Sequence, residues 1–197
     1  MKAINKSSSE DYLPMIKNKS RIVIVGTGCS GKTTLARKLA GILSIPHIQL
    51  DAIHWKPDWE SRPRDEFRQL TREAVNNEQW VTDGNYSVVR DIVWDRATAL
   101  IWLNYSFPTV LWRAIARTSQ RAILKKELFS GNRESIRQAF FSTDSMILWV
   151  IKSHHSKRKR YLKILKEPEF SHLEVMVLKD QKETDALVLR IKDQIET

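Results

Sequence analysis

Short runs of apolar and β-branched residues alternate along this chain with longer segments whose apolar positions recur every three or four residues. The first run, RIVIV at 21–25, is typical of a strand buried on both faces, and the segment after it places Leu35 and Leu39 on one helical face. The pattern predicts strands at 21–25, 47–50, 79–82, 98–103 and 173–178, and helices at 32–43, 63–76, 108–126, 134–166 and 184–195. We expect an irregular loop at 51–62. Strands that alternate with helices indicate an α/β fold, with a five-stranded parallel sheet and helices on both faces.

The turn after the first predicted strand carries a phosphate-binding pattern. Residues 26–33 fit G-x-x-x-x-G-K-[ST] without a mismatch, between a β-branched strand and an amphipathic helix. Glycines let backbone N–H groups point at phosphate oxygens, the lysine brings positive charge to the terminal phosphates, and the threonine hydroxyl binds Mg²⁺. The sequence therefore predicts a P-loop NTPase that binds ATP, or a similar triphosphate, and Mg²⁺. The predicted nucleotide-binding residues are Gly26, Thr27, Gly28, Cys29, Ser30, Gly31, Lys32, Thr33 and Thr34.

The glycines of this loop also fit a second pattern, the dinucleotide-binding G-x-G-x-x-G. Asp51 lies about 20 residues beyond the glycine turn, at the spacing of the acid that contacts a ribose in such proteins. Lys32 and Thr33 argue against this alternative, because a dinucleotide site has no need of a lysine at the start of its helix, whereas a triphosphate site does.

Two acidic residues follow predicted strands whose carboxyl ends should meet at one edge of the sheet. Asp83 follows the third strand, where an acid can hold the Mg²⁺ hydration shell together with Thr33; the alternative is a turn aspartate before Gly84. Asp51 ends the second strand, and we expect it to act as a base or an orienting group on the acceptor side, or else as a turn acid. The predicted metal residues are therefore Thr33 and Asp83.

Arginines recur every four residues along the fourth predicted helix. Arg113, Arg117 and Arg121 share one helical face, and Arg133 and Arg137 follow a break at Gly131. Positive charge around a migrating phosphoryl group assists its transfer, so these arginines predict a lid over the triphosphate; the alternative is a solvated amphipathic face. The predicted catalytic residues are Lys32, Asp51, Arg117, Arg121 and Arg133.

Aromatic residues stand in the loop after Asp51. His54, Trp55 and Trp59 could stack on an acceptor ring, although tryptophans are more often part of a packed core. Their place beside a strand end favours the acceptor side.

The net charge of +10 is concentrated in one part of the chain. Residues 111–166 hold 14 Lys/Arg and 3 Asp/Glu, whereas residues 167–197 hold 4 Lys/Arg and 8 Asp/Glu. Such a segment favours a polyanionic neighbour, which could be nucleotide phosphates, a phosphorylated substrate or nucleic acid. The run KRKR at 157–160 could contact a nucleic-acid backbone or form a solvated helix surface, but the sequence carries no helix-turn-helix, zinc-finger or RNA-recognition signature.

The composition limits the cellular compartments in which we expect the protein. A single cysteine excludes an internal disulfide framework and fits a reducing compartment. No apolar stretch reaches the roughly 20 residues of a membrane span, and the first residues lack the apolar core of a secretory signal. We therefore expect a cytoplasmic protein with a loose arm at 1–20 and one nucleotide-binding domain at 21–197, including a lid region at about 111–166.

Beyond the phosphate-binding pattern, several segments resemble a known group of proteins. They are 50–59 (LDAIHWKPDW), 80–86 (WVTDGNY), 96–103, 131–135 (GNRES) and 144–149. On these segments the chain resembles the adenylate-kinase-like P-loop proteins and, within them, the bacterial topology modulation proteins. The resemblance covers about residues 20–180 and implies a parallel sheet with a mobile helical lid, without implying a substrate. Adenylate kinases carry a Gly-Phe-Pro-Arg type segment after the third strand, where this chain has GNYS at 84–87, so the resemblance does not extend to AMP recognition there.

The sequence leaves two main functional hypotheses. The first is a kinase that transfers the γ-phosphoryl group of ATP, with Mg²⁺, to a nucleoside- or nucleotide-like small molecule. The alternative is a nucleic-acid-binding or regulatory ATPase that affects DNA topology through the basic segment 111–166. A third and weaker hypothesis is a P-loop scaffold that binds nucleotide without catalysing a reaction.

Overall fold

The computed structural model describes residues 20–124 and 146–196, with side chains for 20–120 and 147–196. Its strands are β1 (Arg21–Gly26), β2 (His47–Gln49), β3 (Trp80–Asp83), β4 (Ala99–Leu103) and β5 (Glu174–Leu178). Its α-helices are α1 (Lys32–Leu43), α2 (Leu50–His54), α3 (Arg64–Ala74), α4 (Arg90–Arg96), α5 (Phe107–Leu124), α6 (Met146–Ile164) and α7 (Gln181–Glu196). Three short 3₁₀ turns lie at Pro57–Trp59, Ser87–Val89 and Pro168–Phe170.

All five strands are parallel and lie in the order β2-β3-β1-β4-β5. The central strand β1 pairs Ile24 with Asp83 of β3 and Gly26 with Leu103 of β4, so these residues lie at the carboxyl edge. Because β2 and β4 lie on opposite sides of β1 and β3, the chain reverses its winding direction next to β1. Ligands bind at such a switch point in open parallel sheets.

Both faces of the sheet are covered, because successive side chains of the central strand enter two different cores. Ile22 and Ile24 pack with residues of α1, α5 and α7, whereas Val23 and Val25 pack with residues of α3, α4 and α6. The predicted α/β fold, with five parallel strands and helices on both faces, is confirmed.

The sequence missed the shortest elements. The predicted loop at 51–62 contains α2 and a 3₁₀ turn, and Leu50, expected at the end of a strand, begins α2 instead. The helix α4 was not predicted either. Helices of five and seven residues show too little periodicity to be recognised, and isolated helices of this length are unstable without tertiary packing. Burial of Leu50, Val93 and Trp94 supplies that packing here.

The helices α5 and α6 flank the part of the predicted lid that lies outside the described residues. They pack against each other, with Val110 and Ala114 of α5 and Val150 of α6 in the same core. Residues 125–145, the N-terminal arm at 1–19 and residue 197 are not described, so the lid and the arm stay predictions. None of the described helices combines the length and the apolar character needed to cross a membrane.

Candidate active site

The phosphate loop, residues 26–33, is shaped by glycine and by left-handed backbone. Gly26 has φ 155° and Gly31 has φ 95°, while Cys29 adopts φ 59°. A Cβ atom at position 26 would lie 2.8 Å from the carbonyl oxygen of Leu103 and 2.7 Å from Ser30 Oγ, so a larger residue does not fit there. Gly31 caps α1 without a side-chain hydrogen bond. The loop therefore keeps a curled backbone directly ahead of a helix N-terminus, which is the arrangement that binds phosphate.

Lys32 folds back over this loop. Its Nζ donates a hydrogen bond of 2.9 Å to the carbonyl oxygen of Thr27. Burial lowers the pKa of Lys32, the negative charges of Asp51 and Asp83 raise it, and the positive charge of Arg117 lowers it. The lysine is thus surrounded by both predicted acids and by one predicted arginine.

Asp83 joins the phosphate loop to β2. Thr33 Oγ1 donates a hydrogen bond of 2.6 Å to Asp83 Oδ2, and His47 Nε2 lies 2.7 Å from Asp83 Oδ1. The carboxylate is almost fully buried. A hydroxyl and a carboxylate beside a phosphate cradle match the oxygen ligands that Mg²⁺ takes when substrate phosphates and water complete its shell. The described residues hold no cluster of three or more His, Cys, Asp or Glu side chains that could bind a metal without such help.

Asp51 stands apart from that pair. It lies in the first turn of α2 rather than at the end of β2, which corrects its predicted position. Tyr86, after β3, donates a hydrogen bond of 2.6 Å to Asp51 Oδ1. Burial raises the pKa of the Tyr86 hydroxyl, and the charge of Asp51 raises it further, so the phenol stays protonated as the donor. The hydrogen bond gives the Asp51 carboxylate a donor of its own, separate from the Thr33 hydroxyl that contacts Asp83.

The aromatic residues after Asp51 pack on one another. His54 lies 4.6 Å from the Tyr86 ring and 4.9 Å from Phe67, and Trp55 lies 5.7 Å from Trp59, measured between ring centroids. Burial lowers the pKa of His54. These aromatic side chains contact one another, and stacking on an acceptor ring stays a prediction.

Of the arginines predicted for the lid, Arg113 and Arg117 have side chains that the structure describes. Arg113 donates to the carbonyl oxygen of Ser30 at 3.1 Å and to Gln181 Oε1 at 2.7 Å, so it braces the phosphate loop against α7. Arg117 lies near enough to Lys32 to lower its pKa. Arg121 belongs to α5 but its side chain is not described, and Arg133 and Arg137 lie outside the described residues.

Asn85 connects the phosphate loop to the helix after the lid region. Its Nδ2 donates to the carbonyl oxygen of Gly26, and its Oδ1 accepts from the Gly26 N–H at 3.4 Å. Tyr161 of α6 donates to the same Oδ1 at 2.8 Å. One side chain therefore ties together β1, the end of β3 and α6.

Lys157 of α6 is affected by the charges of Lys32 and Asp51. Its Nζ lies 3.5 Å from the centroid of a Trp149 ring, a cation–π contact. Burial, together with the smaller effects of the charges of Lys32 and Arg160, lowers the pKa of Lys157 to about 8, although the charge of Asp51 opposes the shift. The basic run at 157–160 is therefore not one uniform surface, because Arg158 and Lys159 are exposed while Lys157 is half-buried near the phosphate loop.

With this geometry in view, the chain can be compared with known proteins. No protein-family model matches it, and no curated protein sequence does. Among solved structures, a shikimate kinase from Bacteroides thetaiotaomicron aligns with a TM-score of 0.51 and 17% identity, over 90% of this chain and 99% of that one. A gluconokinase from Sinorhizobium meliloti 1021 aligns with a TM-score of 0.47 and 15% identity, over 90% and 96% of the two chains. A shikimate kinase from Acinetobacter baumannii in complex with shikimate gives 0.46 and 17%, over 93% and 96%.

The chain shares the fold of the first of these structures. At 17% identity the likeness to the first of these structures establishes the fold and nothing finer. The predicted resemblance to adenylate-kinase-like P-loop proteins is confirmed at this level, whereas the narrower assignment to the topology modulation proteins is not confirmed.

Three residues of the site escaped the sequence-based prediction. The sequence presents Asn85 and Tyr86 as part of the segments that carry the resemblance and as a departure from adenylate kinases, and it presents Lys157 as part of a run that could bind nucleic acid. For the first two, a signal was available, since polar residues directly after a central parallel strand lie at the ligand edge. For Lys157 only the orientation of α6 decides which charge of the run turns inward.

Proposed function

We propose that this protein is an ATP-dependent phosphotransferase that uses Mg²⁺ to phosphorylate a hydroxyl group of a small molecule. The observation that carries the proposal is the separation of the two acids. Asp83 accepts a hydrogen bond from Thr33, whereas Asp51 accepts one from Tyr86. The negative charges of both aspartates raise the pKa of Lys32. A second acid held beside the phosphate loop by its own donor is placed to orient the attacking hydroxyl of an acceptor.

On the nucleotide side, residues 26–34 hold the phosphates. Backbone N–H groups of the loop and the N-terminus of α1 face the phosphate oxygens, and Lys32 moves from the Thr27 carbonyl to the terminal phosphates. Thr33 and Asp83 would hold Mg²⁺, which supplies charge neutralisation between the terminal phosphates when bound.

On the acceptor side, Asp51 orients the attacking hydroxyl and takes up its proton. The hydroxyl oxygen forms a bond to the γ-phosphorus as the bond to the ADP oxygen breaks, and the proton passes through the carboxylate to solvent. Tyr86 keeps the carboxylate in place through the hydrogen bond at 2.6 Å.

Further positively charged side chains contribute to the proposed reaction centre. The charge of Arg117 lowers the pKa of Lys32, and the charge of Lys32 lowers the pKa of Lys157. Together with Arg121 and Arg133 of the predicted lid, they would stabilise the charge that spreads over the migrating phosphoryl oxygens. Among the described residues, no observation favours the nucleic-acid alternative, and cytoplasmic location remains part of the proposal.

The direct test is phosphate transfer from γ-labelled ATP to a panel of nucleosides, nucleotides, sugars and hydroxy acids. We expect label in at least one class of acceptor, and its loss in Asp51→Asn while ATP still binds. The exposed Asp58 provides the matched control Asp58→Asn, which should leave transfer unchanged. Release of label only as inorganic phosphate, with every acceptor, would contradict a kinase.

A further inference from the structure

The side-chain amide of Asn85, the neighbour of Tyr86, takes the place of strand backbone next to the phosphate loop. The last residue pair between β1 and β3 joins Ile24 to Asp83, whereas β1 itself continues to Gly26. Beyond that pair, Asn85 Nδ2 donates to the carbonyl oxygen of Gly26, and Asn85 Oδ1 accepts from the Gly26 N–H at 3.4 Å. A side-chain amide offers the donor and the acceptor of a peptide group, so Asn85 extends the pairing to the first residue of the loop.

Tyr161 holds the same amide from the side of α6. Its hydroxyl donates to Asn85 Oδ1 at 2.8 Å, and burial raises the pKa of this hydroxyl, so the group stays protonated as a donor. The buried Tyr161 ring packs on Trp94 and Trp102, with ring centroids 6.4 and 5.7 Å away. One oxygen of Asn85 therefore accepts from Gly26 and from a helix whose side chain is itself held by packing.

Gly26 is the residue at which the loop leaves the sheet. Its φ of 155° and the nearby carbonyl oxygen of Leu103 leave no room for a side chain that would restrict the backbone. Glycine has the greatest conformational freedom of any residue in the unbound chain. The loop binds phosphates through backbone N–H groups, and ordering a loop only on binding lowers affinity. A contact that restricts Gly26 beforehand therefore favours nucleotide binding.

We propose that Asn85 and Tyr161 are positioning residues for the nucleotide phosphates, and that they couple nucleotide binding to the packing of α6. Asn85 restricts Gly26 directly, and Tyr161 acts through Asn85. The coupling is reciprocal: because the Tyr161 hydrogen bond favours nucleotide binding, bound nucleotide stabilises that hydrogen bond to the same degree. The inference rests on the nucleotide-binding part of the proposed function and is independent of the acceptor.

The first experiment measures the affinity for a non-hydrolysable ATP analogue with Mg²⁺ by calorimetric titration. We expect Asn85→Ala to weaken binding about tenfold, and Tyr161→Phe, which removes one hydrogen bond, to weaken it about fivefold. In steady-state transfer the same variants should raise KM for ATP and leave kcat within about twofold, because neither side chain acts on the migrating phosphoryl group.

Tyr105→Phe is the matched control. Tyr105 is also buried, its hydroxyl lies 2.5 Å from Thr184 Oγ1, and Phe retains the ring on which Arg113 lies. It therefore loses one buried hydrogen bond, as Tyr161→Phe does, without touching Asn85. We expect its affinity for the analogue to equal that of the wild-type protein. Equal affinities of Tyr161→Phe and Tyr105→Phe would overturn the inference.

A double variant tests whether Tyr161 acts through Asn85. In Asn85→Ala the Tyr161 hydroxyl has lost its partner, so Asn85→Ala/Tyr161→Phe should bind the analogue less than about twofold more weakly than Asn85→Ala. A further fivefold loss in the double variant would contradict this path. Thermal unfolding of each variant shows that the titrations are made on folded protein.

Hydrogen exchange tests the reciprocal effect. In the wild-type protein, saturating analogue should slow exchange of the backbone amides around Tyr161 by about fivefold, and in Asn85→Ala this slowing should be lost. Equal slowing in both would overturn the coupling. These measurements need no phosphate transfer. Unchanged affinity in Tyr161→Phe overturns this inference alone, whereas absent transfer to every acceptor, with the expected affinities, overturns only the kinase proposal.

Discussion

The proposed nucleotide side and the proposed acceptor side of this site are built in different ways. The nucleotide side is one contiguous stretch, residues 26–34, whose shape depends on glycines and on the start of α1. The acceptor side brings Asp51 of α2 to Tyr86, 35 residues later, and Asn85 to Tyr161 of α6, 76 residues later. A contiguous site is visible in a sequence, whereas a dispersed site depends on packing.

The largest effect is expected on the nucleotide side. Lys32→Ala should lower kcat/KM by roughly 10³-fold, because the lysine charge acts on the migrating phosphoryl group in a site shielded from water. Steady-state transfer with the best acceptor measures this. Lys38→Ala is the control, since Lys38 is exposed on the same helix and should leave the rate unchanged. A loss smaller than about tenfold would remove Lys32 from the reaction.

The acceptor side should respond differently. Asp51→Asn should lower kcat by about 10²-fold with unchanged ATP affinity, because it removes a proton acceptor and leaves the phosphate loop intact. Tyr86→Phe should give a smaller loss in the same direction, since it frees the carboxylate without removing it. Equilibrium binding of an ATP analogue separates the two sides. If Asp51→Asn weakened that binding as much as Lys32→Ala, the comparison would fail.

Lys157 allows the role of its positive charge to be tested through the pH dependence of the reaction rate. Because its pKa is lowered to about 8, its ammonium group loses its charge as pH rises through that value. We expect kcat/KM, which reports the free enzyme, to fall about tenfold between pH 7 and pH 9 and to stay level in Lys157→Arg over the same range. A fall of equal size in Lys157→Arg would assign the titration to another group.

The same residue predicts the opposite trend for stability. The pKa of Lys157 in the folded protein lies below its ordinary value of 10.5, so between about pH 8 and 10.5 the unfolded chain binds more protons. The contribution of Lys157 to the free energy of unfolding therefore rises with pH across this window while activity falls. Urea unfolding of wild type and Lys157→Arg at several pH values checks the sign.

The smallest effect is expected for Asn85, whose side chain links the phosphate loop to α6. Asn85→Ala should lower the free energy of unfolding by about 1–3 kcal/mol, because the backbone groups of Gly26 and the Tyr161 hydroxyl lose a common partner. Tyr161→Phe should cost about 1 kcal/mol, since it removes one of these hydrogen bonds. In a double-mutant cycle the two losses should not add. Full additivity would show that Asn85 does not link the phosphate loop to α6.

The places of the strands and of the long helices along the chain could be predicted because each has a strong local period. The helix at 32–43 was predicted with the boundaries observed, and α3 and β5 differ by only one or two residues at most ends. The elements that were missed, α2 and α4, are short and depend on burial of Leu50 and Trp94 against distant parts of the chain. Asp51 was accordingly expected at a strand end and lies in a helical turn instead.

The sequence by itself determined the phosphate loop, the parallel sheet and the place of Asp83 at the end of β3, because each follows from a local pattern of residues. Only the tertiary structure decided that Tyr86 donates to Asp51 and that Lys157, unlike Arg158 and Lys159, is half-buried and affected by the charge of Lys32. The physical reason is that glycine conformation and strand periodicity act locally, whereas the direction and partner of a charged side chain depend on helices that pack from far along the chain.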